Sequence, residues 1–302
     1  MSRRERQRRK NRNQGGAHRI IFLTLGLVFT GIAIAGVVAV AWVVNVANSA
    51  PSLDTKKPIE LGATSRIYAA DGTRLGFINA NILRTPVTSS QIPEMVRQAT
   101  VAIEDRRFYD HRGVDFEGIV RAGVKNLESK KDIQGGSTLT MQLVRNLYTG
   151  ERARNGVAGY KRKIREAKLA QELEDRHPGH RGKLWIVNKY VNSVPYGTVG
   201  GQTAVGIQAA ARVFFDKPAS RLSLREAALL AGLPQAPSNY NPFLDRGAAL
   251  LRRNDVLQRM ADQGYITQAV ADRPSRWASA SSTTATTRPS ARATSSTTSS
   301  ST

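Results

Sequence analysis

The sequence predicts a mainly α-helical domain that carries a short N-terminal β-hairpin and follows a single transmembrane helix. Three observations support this fold class. Residues 20–44 form an uncharged apolar run, an Asp71-Gly72 turn separates two short β-prone segments, and apolar residues recur at helical spacing from residue 90 to about 272. We expect helices to begin near Ser90, Phe116, Thr138, Val157, Arg181, Gln202, Ser223 and Gly247.

The apolar run is long enough to act as a membrane anchor. Its 25 residues exceed the ~20 that cross ~30 Å of hydrocarbon. Eight basic residues and one acidic residue precede it, so residues 1–19 carry +7 and are predicted to be a cytoplasmic tail, with the domain outside the membrane. A cleaved signal peptide is the alternative, but its apolar core usually spans only 7–15 residues, so a retained anchor is favoured.

Composition sets the remaining boundaries. Residues 45–60 are predicted to be a linker and 61–275 the folded domain, while 276–302, nearly all Ser, Thr and Ala, should be disordered because they cannot bury apolar surface. The absence of cysteine excludes disulfide and thiolate chemistry. The net charge of +22 indicates an anionic partner. Outside a membrane, that partner is expected to be a lipid head group, a diphosphate or a wall polymer rather than a nucleic acid.

The first candidate site is the sequence Glu-Asp-Arg-Arg-Phe-Tyr-Asp-His-Arg-Gly at residues 104–113, directly after an apolar helical run. Ser90 is expected to cap that helix, with Pro93 in its first turn. Glu104 then lies at the helix C-terminus, where the helix dipole raises the pKa of a carboxylate. Such a carboxylate can serve as a general base near neutral pH. On these ten residues alone, a charged helix end without function is an equally good interpretation.

The second candidate site is a glycine pair followed by hydroxyl residues at the start of a helix. The free N–H groups of a helix N-terminus bind anions, and the hydroxyl groups add donors. A capped helix with a flexible approach is the alternative. The side chains concerned are Ser137, Thr138, Thr140, Gln142 and Arg145.

The third candidate site is a carboxylate flanked by cations on one helix. Arg162 and Lys163 precede Glu166 by four and three residues, so both can reach it. An exposed, salt-bridged helix is the usual interpretation of such a pattern. Glu166 shares its helical phase with Leu169 and Leu173, however, which favours the wall of a cleft.

Two further clusters, at residues 189–197 and 252–260, are weak by themselves. In this order, the five clusters resemble the five motifs of glycosyltransferase family 51, the peptidoglycan glycosyltransferase domain of class A penicillin-binding proteins and monofunctional transglycosylases. The matching patterns are Glu-Asp-x-x-Phe-x-x-His-x-Gly at 104–113, Gly-x-Ser-Thr-x-Thr-x-Gln at 135–142, Arg-Lys-x-x-Glu at 162–166, Lys-Tyr-Val-Asn at 189–192 and Arg-Arg-x-x-Val-Leu-x-x-Met at 252–260.

The resemblance implies a lysozyme-like, two-lobed helical domain with one lobe apposed to the membrane. It also implies a reaction in which lipid II is polymerised into glycan strands. The 4-hydroxyl of one disaccharide attacks the anomeric carbon of another with inversion, and undecaprenyl diphosphate leaves. The implied partners are lipid II, the growing strand, the membrane and a separate transpeptidase or wall-synthesis complex, with no nucleic acid.

Residue roles follow from the same resemblance. Glu104 matches the acceptor-side base and Glu166 the second carboxylate, near the departing diphosphate. No cofactor is required by the residues, although Mg2+ or Mn2+ could accompany the diphosphate near Glu166. The cations expected to neutralise the diphosphate are Arg145, Arg162 and Lys163. The other expected substrate-binding or cleft-shaping residues are Asp105, Phe108, His111, Ser137, Thr138, Thr140, Gln142 and Asn192.

The chain departs from the family pattern at two positions, since Met141 replaces a frequent Gln and Asn188 a frequent Glu. No serine has a lysine three residues later and no Lys-Thr-Gly occurs, so we expect a monofunctional protein or part of a bifunctional one. Three alternatives remain open at this point. They are a glycan-cleaving enzyme of the same fold class, a non-catalytic wall scaffold and, as the weakest, a nucleic-acid binder.

Overall fold

The computed structural model describes residues 3–55, 58–59, 66–77, 81–121, 136–149 and 156–273. These residues fall into two compact units. Unit 1 holds the described residues within 1–61 and 104–193, and unit 2 holds those within 62–103 and 194–302. Both units are mainly helical, as the sequence predicts. The predicted tail at 276–302 lies outside the described residues.

The helices and strands follow one another in a simple order. The helices are α1 (Arg3–Asn48), α2 (Glu94–Glu104), α3 (Leu139–Val144), α4 (Gly156–Arg176), α5 (Gly179–Ser193), α6 (Ile207–Phe215), α7 (Leu224–Gly232), α8 (Arg246–Asp262) and α9 (Gln268–Ala271). The strands are β1 (Arg66–Tyr68), β2 (Arg74–Phe77), β3 (Ile82–Arg84), β4 (Pro195–Val199) and β5 (Gln202–Val205). Residues 116–121 are also helical, and a π-helical turn (Arg145–Thr149) extends α3.

Helix α1 contains the predicted anchor. Its segment Phe22–Asn48, 27 residues, is by length and composition able to cross a membrane. At 1.5 Å per residue it is about 40 Å long, more than the ~30 Å hydrocarbon layer. The helix continues four residues past the predicted end at 44, into the first part of the predicted linker at 45–60.

The chain after α1 is held against α4 by a hook, residues 49–55. The carboxylate of Glu172 accepts hydrogen bonds from the Ser52 hydroxyl and the Leu53 N–H, both at 3.1 Å. Arg176 forms an ion pair with Asp54 at 2.8 Å. Leu53 is also buried, so this part of the predicted linker is docked onto the domain.

Unit 2 contains two small β-sheets. Strands β1 and β2 form the predicted antiparallel hairpin, with Asp71-Gly72 in its turn. The second sheet has the order β3-β5-β4, with β3 parallel and β4 antiparallel to β5. The prediction of a helix near Gln202 is therefore wrong. Gly200 and Gly201 adopt positive φ in a tight turn, and β5 pairs with a strand about 120 residues earlier, a partner that local periodicity cannot reveal.

Most helix starts lie within two residues of the predicted positions, but the start of α2 does not. Ser90 lies in a 3-10 turn (Ser89–Gln91), and α2 begins at Glu94, so the prediction that Ser90 caps this helix is wrong. Pro93 explains the difference, because a proline disfavours the helical conformation of the residue before it. Ile92 accordingly has an extended backbone, with φ −94° and ψ 114°.

The core of unit 2 forms where α2, α7 and α8 meet. Small residues of α2 and α7 pack against larger ones of α8, which lets the helices approach closely. The last turns of α2 are thereby fixed by burial, and its final residue, Glu104, begins the segment that carries the candidate site. The buried residues concerned are Ala99, Ala102, Ala228, Ala231, Val256, Leu257 and Met260.

Candidate active site

The first carboxylate of the candidate site is Glu104, the last residue of α2, where the helical period places it. Its Oε2 accepts a hydrogen bond from Nε2 of Gln142, on α3, at 2.8 Å. The Oε1 of Gln142 accepts one from the hydroxyl of Tyr190, on α5, at 3.0 Å. The partly buried Glu104 thus has a neutral amide beside it, whose own orientation is fixed by the tyrosine hydroxyl.

The next residue, Asp105, connects the loop 105–113 to α3. Its two carboxylate oxygens lie 2.9 and 3.0 Å from Nε2 of His111, and Oδ2 also accepts the N–H of Leu139 at 2.9 Å. Asp105 and His111 are both buried. Since Leu139 opens α3, the carboxylate of Asp105 satisfies one of the free N–H groups at that helix start.

Thr138 and Gly113 make a second connection between the loop and α3. The hydroxyl of Thr138 donates to the carbonyl of Gly113 at 2.5 Å and accepts the N–H of Met141 at 3.2 Å, which makes Thr138 the N-cap of α3. Gly113 has φ +75°, and a Cβ there would lie 2.6 Å from the carbonyl carbon of Ala170. Only glycine fits this position without a shift of α4.

The second carboxylate, Glu166, lies on α4 and is fully buried, in phase with the buried Leu169 and Leu173 as predicted. Its oxygens accept two hydrogen bonds at 2.8 Å from Nε and Nη2 of Arg145, and a third at 2.5 Å from Nη1 of Arg162. The hydrogen bonds to Glu166 raise the pKa of the Arg145 guanidinium above its ordinary value. The three side chains form a cluster with one net positive charge.

The cation pair at Glu166 differs from the one that spacing predicts. Arg145 comes from the π-helical turn after α3, whereas Lys163 makes no ion pair with Glu166 in the described part of the chain. The i,i+3 relation within α4 therefore does not produce the predicted ion pair, and the guanidinium of Arg145 spans both oxygens of Glu166 instead. Among the described residues, no three His, Cys, Asp or Glu side chains form a metal-binding group. A divalent ion that accompanies the diphosphate near Glu166 stays a prediction.

The remaining predicted residues lie at different depths. Phe108 and Thr140 are fully buried, so neither presents surface to a sugar in this structure. Asn192 donates to the carbonyl of Asn188, one turn earlier in α5, at 3.1 Å. Ser137 is partly buried and directly precedes the N-cap of α3. Substrate contacts by Ser137, Lys163 and Asn192 stay predictions.

Three residues that sequence reasoning did not select complete the arrangement. Tyr190 orients Gln142 through its hydroxyl. Lys183 of α5 and Glu174 of α4 form a buried ion pair, with 2.6 Å between Nζ and Oε2. A signal for Lys183 was present, since it shares a helical stripe with Ile186 and Tyr190, as Glu166 does with its leucines.

Comparison with known proteins assigns this sequence to a family. A family model described as Transglycosylase matches residues 71–261, a span that includes every residue of the candidate active site. The chain belongs to the transglycosylase family. This result confirms the resemblance to glycosyltransferase family 51 that the sequence motifs carry. The transglycosylase match lies within the predicted domain at 61–275.

Three relatives show how far the transglycosylase similarity extends. Penicillin-binding protein 1A of Aquifex aeolicus is 45% identical over 204 residues, covering 67% of this chain and 26% of that protein. Penicillin-binding protein 1A of Escherichia coli is 42% identical, over 72% of this chain and 24% of that protein. Penicillin-binding protein 2D of Bacillus subtilis is 35% identical, over 83% of this chain and 33% of that protein. The chain thus spans about a quarter to a third of the length of these relatives.

Proposed function

We propose that this chain is a peptidoglycan glycosyltransferase that polymerises lipid II into β-1,4-linked glycan strands with inversion. The observation that carries the proposal is the contrast between its two carboxylates. Glu104 has a neutral amide partner and is partly exposed, whereas Glu166 is fully buried between two guanidinium groups. An inverting displacement needs both kinds of group, because a base must take the proton of the acceptor and cations must stabilise the charge of the leaving group.

Glu104 is the proposed base. Its carboxylate takes the proton of the acceptor 4-hydroxyl as that oxygen forms a bond to the anomeric carbon of the donor. A carboxylate can accept this proton only while it is ionised, and the N–H donated by Gln142 at 2.8 Å favours that form. Asp105, His111 and Phe108 shape the loop that follows Glu104 and are not proposed to transfer protons.

The arginines serve the leaving group. As the bond from the anomeric carbon to the diphosphate oxygen breaks, its electron pair moves onto undecaprenyl diphosphate. Arg145 uses Nε and Nη2 for Glu166, its Nη1 has no acceptor among the described residues, and its side chain is 31% exposed. That nitrogen is the proposed donor to a diphosphate oxygen, while Glu166 holds the guanidinium plane in place. Lys163 is proposed to add a second cation.

A lipid II polymerisation assay with Glu104→Gln tests this proposal. The variant should lose at least about 100-fold in rate, because the isosteric amide cannot accept the proton. Glu94→Gln is the matched control, since Glu94 is an exposed acid at the other end of α2, and it should polymerise like the wild type. Near-wild-type synthesis by Glu104→Gln would refute the assignment. Finished peptidoglycan as substrate, in a parallel assay, tests the glycan-cleaving alternative, and adding Mg2+ or Mn2+ tests the effect of a divalent ion.

We also propose that the N-terminus is cytoplasmic and the domain extracytoplasmic, so that the glycan product meets a separate transpeptidase or wall-synthesis complex. The basic segment before the anchor supports this orientation. Because the chain has no cysteine, a single one can report topology. Arg112→Cys, at a side chain 79% exposed, should react with a membrane-impermeant maleimide on intact cells, whereas Ser2→Cys should not. The reverse pattern would contradict the orientation.

A further inference from the structure

The buried pair Lys183–Glu174 has no part in the proposed chemistry. Its Nζ–Oε2 distance is 2.6 Å, and the two side chains are only 10% and 4% exposed. Lysine and glutamate are rarely buried, and removing both charges from water costs free energy that their attraction does not always return. Their burial therefore calls for an explanation beyond stability alone.

Lys183 contacts the loop 105–113 at two points. Its Nζ donates to the carbonyl of His111 at 2.6 Å and lies 4.5 Å from the centre of the Phe108 ring. His111 in turn holds Asp105, the residue directly after Glu104. One ammonium group thus fixes the backbone and an aromatic ring of the segment that begins at Glu104.

Glu174 contacts α3. While Oε2 pairs with Lys183, Oε1 accepts the hydroxyl of Thr140 at 2.6 Å. Thr140 is fully buried and lies two residues before Gln142, the partner of Glu104. The pair therefore connects the two segments that hold Glu104, one through Lys183 and the other through Glu174.

We propose that Lys183 and Glu174 are positioning residues that lock the loop 105–113 to α3 and so hold Glu104 against Gln142. The proposal rests on the proposed role of Glu104 as the base. A displacement of about 1 Å at a reacting group can cost about 100-fold in rate. Lys183 and Glu174 touch neither substrate nor reacting atoms, so their effect reaches the chemistry only through Glu104.

The double variant Lys183→Met, Glu174→Gln tests the proposal. It removes both charges together, leaves the net charge unchanged and keeps an oxygen that can accept from Thr140. We expect kcat for lipid II polymerisation to fall about 10- to 100-fold with KM nearly unchanged. As the Gln142 donation to Glu104 weakens, the pKa of that carboxylate should rise, and the acid limb of the kcat–pH profile should move to higher pH. A loss of stability alone would not move that limb.

The neighbouring pair Arg112–Asp175 supplies a matched control. It also joins the loop 105–113 to α4, at 2.7 Å, but its side chains are 79% and 61% exposed. Arg112→Gln with Asp175→Asn should keep the wild-type kcat and acid limb, because exposed ion pairs contribute little. Thermal unfolding checks that each variant is folded.

If the double variant does not fold, Thr140→Val tests the proposal instead. This substitution removes only the hydrogen bond from α3 to Glu174 and leaves no charge without its counter-ion. It should show a smaller loss of kcat and the same direction of shift in the acid limb. Folded variants with wild-type kcat and an unmoved acid limb would overturn the proposal. Wild-type protein that leaves lipid II unchanged would instead overturn the proposed function itself.

Discussion

The substitution Glu166→Gln gives the sharpest test of how the cation cluster is held together. Glutamine keeps the volume of the side chain but removes the charge that the two arginines share. It keeps an oxygen at one position and places an NH2 group at the other, where a guanidinium already donates. At least one of the three hydrogen bonds is then lost outright.

The expected loss of stability follows from burial. Glu166 is fully buried and the side chain of Arg162 is only 6% exposed, so water can solvate little of the positive charge that Arg162 then carries without its counter-ion Glu166. One hydrogen bond to a charged group contributes about 1.5–3 kcal/mol, and breaking a buried ion pair costs about 3–5 kcal/mol. We take ~4 kcal/mol for the whole change. With about 2–4 °C per kcal/mol for a domain of roughly 200 residues, the thermal midpoint should fall by roughly 8–16 °C.

Thermal unfolding in detergent, followed by near-ultraviolet circular dichroism, measures this shift. Asp175→Asn is the control, because it removes an acid from the same helix at a position where the ion pair is exposed. Its midpoint should stay within a few degrees of the wild type, since exposed pairs contribute about 0–1 kcal/mol. A midpoint for Glu166→Gln equal to that of the control would show that the cluster does not stabilise the fold.

Two further predictions concern packing and the hook. Gly113→Ala should destabilise by about 1–3 kcal/mol or more, because a Cβ at φ +75° would also meet the carbonyl of Ala170. Gly264 has the same φ but open space around it, so Gly264→Ala measures the cost of the backbone conformation alone. If the two variants had equal thermal midpoints, the predicted clash at Gly113 would be contradicted. Glu172→Ala should release the hook, residues 49–55, and speed its cleavage in limited proteolysis; unchanged cleavage there would show that Glu172 does not hold it.

The sequence predicts those parts of the fold that depend on neighbours along the chain. Helical period places Glu104 at the end of α2 and Glu166 on a buried stripe of α4, and both positions agree with the structure. The Asp71-Gly72 turn likewise predicts the first hairpin. Each is a local pattern of three to about twelve residues, which is the range over which period and turn chemistry act.

What the sequence misses depends on contacts between distant residues. The sheet β3-β5-β4 needs a parallel pairing between strands about 120 residues apart, and no local signal encodes it. The same holds for Arg145, which approaches Glu166 from another helix and takes the place that spacing gives to Lys163. Even so, a charged residue on an apolar helical stripe identifies Glu166, and the same test applied to α5 would have selected Lys183.

Helix α3 and its π-helical extension connect the two halves of the proposed chemistry. Gln142 holds Glu104, and Arg145, three residues later, holds Glu166. Three residues correspond to a rise of about 4.5 Å along a helix, so one short segment carries both the partner of the proposed base and the proposed leaving-group cation. Thr138 and Thr140 fix that segment to the loop 105–113 and to α4. The hydroxyl groups at the start of α3 thus hold this segment in place, and a shift of α3 would displace Gln142 and Arg145, the partners of the two carboxylates.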